Sequence, residues 1–343
     1  MYEAKFWKTE GRAVRCSLCG RRCLIAEGKT GFCRVRQNIN GKLYSLNYGK
    51  LMSVAVDPIQ KKPFFHFAPG SDTFSISTVG CNFQCKFCCN AELSQLWKDI
   101  VGRDWTPEQV VAAAKEAHCD GLCYTYVEPT MFFEFAVDCS KLASKSLYNC
   151  WVTNGYTSPD AIKEISKHLD AAVIDFKASG NPKAYAALSS VPDVQPIYDA
   201  LLAYKKNKVF IEITNLLIPQ HGESMADLKK LCKWIVDNLG PDVPLHLIRF
   251  FPSYKLQLPS PDMKLMENAH EVARKEGLQY VYLGNIHGHK YESTYCPSCG
   301  ILLIERKGTD VKKVNLTNDL KCPSCDEKIP IAGKKWMPRF KEA

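Results

Sequence analysis

The arrangement of cysteines is the feature that most constrains how this chain can fold. The chain has 343 residues and 17 cysteines. In a short secreted chain, clustered cysteines would indicate a disulfide framework. This chain is long, and clustered cysteines in a long chain without an export signal indicate metal ligation or catalysis. Twelve of them form three local groups: Cys16, Cys19, Cys23 and Cys33; Cys81, Cys85, Cys88 and Cys89; and Cys296, Cys299, Cys322 and Cys325.

Charge and hydropathy narrow the class of protein. The first eight residues are interrupted by charges where a secretory signal would be apolar. No apolar run approaches the roughly 20 residues of a membrane-spanning helix, so we expect a cytoplasmic protein with no membrane partner. The net charge of +9 would fall to about +4 with two zinc sites and one iron–sulfur cluster, because metal-bound cysteines are thiolates. Nucleic acid is therefore disfavoured as a partner.

Strand-like and helix-like segments alternate between the second and third cysteine groups. Thr106-Pro107-Glu108-Gln109 has the pattern of a capping box with proline at the first helical position, and Met225–Asn238 is also helical in pattern. About six strand–helix units predict an α/β fold, an incomplete (β/α)6 TIM-like barrel, with an open doubly wound sheet as the alternative. The candidate strands are residues 73–79, 122–127, 151–153, 172–176, 209–217, 245–250 and 280–283.

Smaller cysteine-containing modules flank the predicted barrel. Residues 1–65 are expected to form a four-cysteine metal module that includes a hairpin turn at Asn40-Gly41. Residues 66–284 would form the barrel. Residues 285–343 carry two Cys-Pro-Ser-Cys knuckles separated by 22 residues, a spacing typical of a zinc ribbon. We expect Cys296, Cys299, Cys322 and Cys325 to bind zinc.

The first cysteine group also offers four thiolates for a closed site. Cys16, Cys19, Cys23 and Cys33 are compatible with zinc or with an auxiliary four-iron cluster, because both accept tetrahedral thiolates. Zinc is the favoured interpretation. An auxiliary cluster would add an electron path or a second iron site.

The central group has the spacing Cys81-x3-Cys85-x2-Cys88 and follows the first predicted barrel strand. Three cysteines leave one iron of a [4Fe–4S] cluster without a protein ligand, so a substrate or cofactor can bind it. The carboxyl ends of barrel strands are where such folds place chemistry. We favour an iron–sulfur cluster over structural zinc here, with a helix expected at 91–97. Cys89 could replace Cys88, donate hydrogen or only pack; we expect Cys88 to be the ligand.

Cys81-Asn82-Phe83-Gln84-Cys85-Lys86-Phe87-Cys88 resembles the signature of radical S-adenosylmethionine (SAM) enzymes. More narrowly, the chain resembles the radical SAM enzymes of the AmmeMemoRadiSam system, which are related to pyruvate formate-lyase activating enzymes. The further segments that resemble this family are Arg15-Cys16-Ser17-Leu18-Cys19, Asp57-Pro58-Ile59-Gln60-Lys61-Lys62-Pro63, Phe65-His66-Phe67, Tyr124-Thr125-Tyr126-Val127-Glu128-Pro129-Thr130, Val152-Thr153-Asn154-Gly155-Tyr156, Ile174-Asp175-Phe176-Lys177 and Arg249-Phe250-Phe251-Pro252.

The resemblance implies reductive cleavage of SAM at the cluster. The products would be methionine and a 5′-deoxyadenosyl radical that abstracts hydrogen from an unidentified substrate. It further implies an electron donor such as ferredoxin or flavodoxin, and a protein substrate or Memo-like and AMMECR-like proteins as partners. A sharper version is a glycyl-radical-enzyme activase that acts on a partner protein.

The resemblance also implies residues that contact SAM. Glu128 matches an element near the SAM amino group, and Asn154 matches a Thr-Asn-Gly element at the end of a strand. Asp175 and Lys177 match an Asp-Leu-Lys element whose lysine contacts the SAM carboxylate. Tyr126-Val127 stands where related enzymes have two glycines. Outside that pattern, His66, His246 and Arg249 are candidates for the substrate pocket.

Two other classes of function compete with this one. A non-catalytic zinc protein that binds nucleic acid or protein would explain the basic charge and the ribbon but not the central trio. A SAM-dependent transferase without radicals would yield S-adenosylhomocysteine instead of 5′-deoxyadenosine.

Overall fold

An eight-stranded sheet forms the centre of the computed structural model, which describes residues 1–333. Its strands lie side by side in the order of the chain. Strands β2–β8 are parallel, and β1 pairs antiparallel with β2 at one edge. The strands are β1 (Ser53–Pro58), β2 (Asp72–Ser77), β3 (Gly121–Tyr124), β4 (Tyr148–Thr153), β5 (Ala171–Lys177), β6 (Phe210–Leu217), β7 (Leu245–Arg249) and β8 (Val281–Gly284).

Helical crossovers join the seven parallel strands. The crossovers number six, as predicted, and the strand order never reverses as it does in a doubly wound sheet. The α/β fold with an incomplete barrel is therefore confirmed. The helices are α1 (Pro107–Glu116), α2 (Phe133–Ala143), α3 (Pro159–Ile165), α4 (Pro182–Ser189), α5 (Gln195–Lys206), α6 (Met225–Asn238) and α7 (Met263–Lys275). Shorter turns are the 3-10 helices Ile59–Lys61, Pro129–Phe132, Ala178–Gly180 and Lys290–Glu292 and the π-helix Glu92–Leu96.

Helix α1 begins as its sequence requires. The backbone N–H of Gln109 donates to Thr106 Oγ1 at 3.2 Å, and the N–H of Thr106 donates to Gln109 Oε1 at 2.8 Å. Both partners of the predicted capping box are present. Two helical N–H groups that would lack partners are thus satisfied.

Short antiparallel strands precede the main sheet. The predicted hairpin turn lies at Asn40-Gly41, where both residues have positive φ (52° and 76°), as a type I′ turn requires. The main sheet already begins at residue 53, inside the segment predicted as a separate module. The short strands are Tyr2–Glu3, Trp7–Glu10, Ala13–Cys16, Leu24–Ala26, Arg36–Ile39, Lys42–Ser45 and Lys50–Leu51, the last paired with Arg103–Asp104.

The tail forms a three-stranded antiparallel sheet of Thr294–Tyr295, Leu302–Lys307 and Asp310–Val314. Leu303 and Ile304 pack in one buried cluster with Phe65 of the segment between β1 and β2. Arg306 is buried there and donates to the carbonyl of Phe65 at 2.6 Å. The tail therefore packs against the barrel. Within residues 1–333, no helix has the length and apolar character needed to cross a membrane.

Candidate active site

A loop that carries the central cysteines leaves the carboxyl end of β2. Gly80, the residue before Cys81, has φ of 102°, and a Cβ there would lie 2.7 Å from a methyl of Val35. Only glycine fits both conditions. The end of α4 holds the rest of the loop, since the N–H of Gln84 donates to the carbonyl of Ser189 at 3.1 Å and that of Lys86 to Leu188 at 2.8 Å.

The thiols of Cys81, Cys85 and Cys88 are half-buried at this end of the sheet. Each has a nearby polar partner. The N–H of Phe83 donates to Cys81 Sγ at 3.4 Å, Cys85 Sγ donates to Ser189 Oγ at 3.2 Å, and Cys88 Sγ lies 3.3 Å from the hydroxyl of Ser94. Burial raises the pKa of the Cys85 thiol to about 11. Without a bound cation, the Cys85 thiol would thus stay protonated at neutral pH.

The spacing of these thiols fits a cluster better than a single ion. Besides burial, the neighbouring Cys85 and Cys88 raise the pKa of the Cys81 thiol, so the three thiols lie near one another. Among residues 1–333, however, only the tail cysteines form a group whose ligand atoms all lie within 4.8 Å of one another. Thiolates that ligate separate irons of one cluster stand further apart than thiolates that share one ion. The donor set therefore fits a [4Fe–4S] cluster with one open iron.

Glu128 lies beyond the end of β3 and is 3% exposed. Its Oε1 accepts from the N–H of Thr130 at 3.2 Å and from the hydroxyls of Thr130 at 2.6 Å and Thr153 at 2.8 Å. Its Oε2 accepts only from the N–H of Asn154 at 2.7 Å among the described contacts. Burial raises the pKa of this carboxyl, and these hydrogen bonds oppose the rise only in part. Glu128 thus starts a helical turn and keeps accepting capacity on Oε2.

Asn154 connects the end of β4 to the cysteine loop. Its Nδ2 donates to Asn82 Oδ1 at 2.7 Å. The neighbouring strand end is held by Asn90, whose Nδ2 donates to the carbonyl of Tyr126 at 2.8 Å. Tyr126 has φ of 66°, a conformation that glycine adopts more easily. Tyr126, which the resemblance aligns with a glycine, therefore has a glycine-like backbone.

Asp175 and Lys177 lie at the carboxyl end of β5. Lys177 Nζ is 3.2 Å from Asp175 Oδ2. Burial alone would lower the pKa of Lys177, but Asp175 and the thiols of Cys85 and Cys88 outweigh burial and raise it. The ammonium therefore faces the cysteine loop. Cys89 is exposed and adjoins the same charges.

The pocket candidates outside the signature divide between the two ends of the sheet. His246 Nε2 lies 2.8 Å from buried Glu212, and His66 Nε2 lies 2.6 Å from the hydroxyl of Tyr282. Both histidines are at most 1% exposed and lie towards the amino ends of β6–β8, away from the cysteine loop. Arg249 ends β7 on the cysteine side, where its Nε donates to the carbonyl of Pro261 at 2.8 Å.

Sequence reasoning missed the groups that hold the loop in place. Ser189, Ser94 and Gln95 contact the cysteines or their backbone, the last through Nε2 to the carbonyl of Cys85 at 2.9 Å. Ser189 ends a helix a hundred residues further along the chain, and no local pattern marks it. Gln95 lies in the predicted helix 91–97, which forms only as the π-helix Glu92–Leu96.

The four tail cysteines converge in a separate group with the spacing of the ligands of one metal ion. Cys296 and Cys325 have Sγ atoms 3.5 Å apart, and those of Cys299 and Cys322 are 3.6 Å apart. The N–H of Ile301 helps to lower the pKa of Cys299 to about 7. The predicted convergence of these four residues at the spacing of one metal ion is confirmed.

The sequence profile of the radical SAM superfamily matches residues 75–235. Over 336 residues the chain is 42% identical to an uncharacterized protein of Methanocaldococcus jannaschii, covering 96% of this chain and 99% of that one. It is 24% identical over 223 residues to a candidate glycyl-radical enzyme activating enzyme of the same organism, covering 63% of this chain and 80% of the relative.

Solved structures that align with the chain share little sequence with it. A radical SAM methyltransferase from Sphaerobacter thermophilus aligns with a TM-score of 0.47 and 15% identity, covering 67% of this chain and 70% of that one. A domain of pyruvate-formate lyase-activating enzyme from Bacteroides vulgatus aligns with a TM-score of 0.40 and 16% identity, covering 48% and 99%.

Proposed function

The chain belongs to the radical SAM superfamily, and from that premise we propose that it cleaves SAM reductively at a [4Fe–4S] cluster ligated by Cys81, Cys85 and Cys88. Bound there, the cluster would supply the electron that converts SAM into methionine and a 5′-deoxyadenosyl radical, which takes hydrogen from the substrate. The observation that carries the proposal is the trio of neighbouring thiols at the carboxyl end of a parallel sheet, which fall outside the 4.8 Å spacing of ligands of one ion.

The charged groups around the three cysteines are complementary to the carboxylate and the amino group of the methionine part of SAM. Lys177 presents an ammonium beside Cys85 and Cys88, where it would pair with the SAM carboxylate. Glu128 Oε2 has spare accepting capacity near Cys81, where it would accept from the SAM amino group. Charge-assisted hydrogen bonds of this kind are about twice as strong as neutral ones. Asn154 would keep the loop and the end of β4 in register.

A protein substrate is the second part of the proposal. It is supported by the relative named as a candidate glycyl-radical enzyme activating enzyme, most of whose length this chain matches. In that role the radical would abstract hydrogen from a glycine of a partner protein. A low-potential donor of the ferredoxin or flavodoxin class would deliver the electron.

The tail cysteines would bind zinc. Four thiolates around one ion form the closed tetrahedral site typical of structural zinc, and the Sγ separations of 3.5 Å and 3.6 Å suit it. The ion would join the two knuckles and so add to the stability that the buried cluster of Leu303, Ile304 and Phe65 gives the tail.

Product analysis tests the central proposal. Anaerobically reconstituted protein should convert SAM into 5′-deoxyadenosine and methionine after chemical reduction. Cys85→Ala should abolish both products because it removes a cluster ligand. The matched control, Cys89→Ala, changes a neighbouring thiol and should keep them. S-adenosylhomocysteine as the product, or cleavage by Cys85→Ala at the normal rate, would contradict the proposal.

A further inference from the structure

The four amino-terminal cysteines surround a shared cavity. Cys16, Cys19, Cys23 and Cys33 all line it, and its volume is about 20 Å³. Cys16 and Cys19 are less than a tenth exposed, and the other two are half-buried. Besides burial, the other thiols of this group raise the pKa of Cys19 and of Cys33, so the four thiols lie near one another. Residues that are spread over 18 positions of the sequence are thus gathered around one space.

The cavity is too wide for a closed zinc site. Zinc lies about 2.3 Å from each thiolate sulfur, which leaves no free space between four of them. This cavity admits a water-sized sphere. Among residues 1–333, only the tail thiols meet the 4.8 Å spacing of one ion. The two groups have the same number of cysteines but different spacing.

Buried donors without partners line the same cavity. Within the described part of the chain, Arg21 Nη2, Arg36 Nε and Asn82 Nδ2 are buried and lack a hydrogen-bond partner. Arg36 and Asn82 are each 1% exposed. A buried donor left unpaired costs roughly 1–3 kcal/mol, so three of them around one space indicate acceptors that belong there. All three atoms are donors, so the missing group supplies acceptors. Arg36 already pairs with Glu134 at 2.6 Å, and the guanidinium of Arg21 favours a missing group that is negatively charged.

Backbone N–H donors also point at the thiols, and like the unpaired side-chain donors they favour negative charge in the cavity. The N–H groups of Leu18, Arg21 and Val35 hydrogen-bond to Cys16, Cys19 and Cys33 respectively, each two residues after its cysteine. The central loop repeats the pattern, with the N–H of Phe83 on Cys81 at 3.4 Å. Such N–H groups stabilise thiolates in iron–sulfur sites and tune them.

We propose that Cys16, Cys19, Cys23 and Cys33 hold a second [4Fe–4S] cluster, with one thiolate on each iron. The sulfides and thiolates of the cluster are the acceptors that Arg21, Arg36 and Asn82 lack. The cluster has no open iron, so it does not bind SAM. The zinc that the sequence alone favours for this group would leave the cavity and its donors unexplained.

The second cluster would lie beside the central loop. Arg21 Nε donates to the carbonyl of Asn82, the residue after Cys81, at 2.9 Å. Burial lowers the pKa of Arg21, and the nearby thiols of Cys19, Cys23 and Cys81 oppose that lowering. On the other side, a Cβ on Gly80 would lie 3.2 Å from the carbonyl of Cys33. The guanidinium of Arg21 thus faces thiols of both groups.

Metal analysis of a variant without the central ligands tests this site independently of the proposed function. The triple variant Cys81→Ala, Cys85→Ala, Cys88→Ala leaves the amino-terminal group untouched. We expect about eight irons per chain in the anaerobically reconstituted full-length protein and about four in the triple variant, each cluster holding four. Reduced triple variant should give the electron paramagnetic resonance signal of a [4Fe–4S]+ cluster.

The other outcomes separate the two proposals. Four irons in both proteins would support the second cluster and overturn the central one. Four irons in the unchanged protein and none in the triple variant, with two zinc ions per chain, would overturn the second cluster and keep the proposed function. Cys23→Ser, at a half-buried position, should lower the iron content by about four, whereas Cys232→Ser, at a buried cysteine outside all three groups, should leave it unchanged.

Discussion

The two ends of the main sheet each bury a glutamate, and the two carboxylates differ in their surroundings. Glu212, near the amino ends of the strands, accepts from the N–H groups of residues 65–67 at 2.8–3.0 Å and contacts His246 at 2.8 Å. Burial would raise its pKa, but these partners, His246 foremost, lower it. Glu128, at the carboxyl ends, keeps a raised pKa because burial outweighs its hydrogen bonds, and no cation of residues 1–333 is among the main influences on it.

The difference between the two glutamates distinguishes a carboxylate that stabilises the fold from one that can bind a ligand. A buried carboxylate whose acceptors are all used stabilises the fold and has nothing left to bind. A buried carboxylate that lacks a cation can take one from a ligand. The amino end of the sheet is therefore structural, and the carboxyl end is where a cationic ligand such as the SAM ammonium gains most.

The largest effect on stability is expected from Glu212→Ala. The change leaves three buried N–H groups and His246 without their acceptor, so the free energy of unfolding should fall by about 4 kcal/mol, as for other broken buried pairs. Denaturant unfolding measures the loss. SAM cleavage per folded molecule should stay within twofold of the unchanged protein.

Glu128→Gln is the matched variant at the other end. Its amide oxygen can still accept from Thr130 and Thr153, so the loss of stability should be about 1 kcal/mol. The KM for SAM should rise because the amide carries no negative charge. The contrast between the ends would be wrong if Glu212→Ala abolished cleavage without loss of stability, or if the two variants lost stability equally.

Acid should weaken the amino end of the sheet. Burial lowers the pKa of His66 to about 4, and Arg306 and His246 act in the same sense against Glu212. The ordinary value is about 6.5. Below that pH the unfolded chain binds a proton that the folded chain excludes. Stability is therefore full above pH 6.5 and falls by roughly 3 kcal/mol as the pH falls to 4.

Unfolding followed between pH 7 and 4 measures this slope. His66→Asn removes the titrating group, so the slope should become shallower. It should not vanish, because burial also lowers the pKa of His270 to about 4. An unchanged slope in His66→Asn would show that His66 is not a source of the acid sensitivity.

Local patterns explain the parts of the fold that were predicted correctly. The capping box at Thr106 and Gln109 and the helix Met225–Asn238 depend on neighbours within a few residues, so the sequence contains the whole signal. The tail site was also predictable, because two short knuckles hold the thiols near each other wherever the tail lies.

Long-range contacts explain what the sequence did not reveal. Glu212 stands in an apolar strand, and its backbone partners lie about 150 residues earlier in the chain. Ser189 supports Cys85 from the end of α4. His66 and His246 are candidates for the substrate pocket in the sequence, because the sequence around a single histidine does not show at which end of the sheet it lies. The same limit applies to Cys16, Cys19, Cys23 and Cys33, whose spacing in space is not encoded in their spacing along the chain.

The smallest effect on stability, and the effect on SAM binding most specific to the carboxyl end, are expected from Lys177→Ala. The ammonium pairs with Asp175 at 3.2 Å, and the two side chains are 17% and 29% exposed, so the loss of the pair should change stability by less than about 1 kcal/mol. Its loss from a bound carboxylate is worth about 1.5–3 kcal/mol, and the KM for SAM should therefore rise at least tenfold. Lys86→Ala removes the same charge from an exposed position of the cysteine loop and should leave the KM unchanged. Equal effects in the two variants would mean that Lys177 acts through overall charge, because only a direct contact with SAM depends on its position at the end of β5.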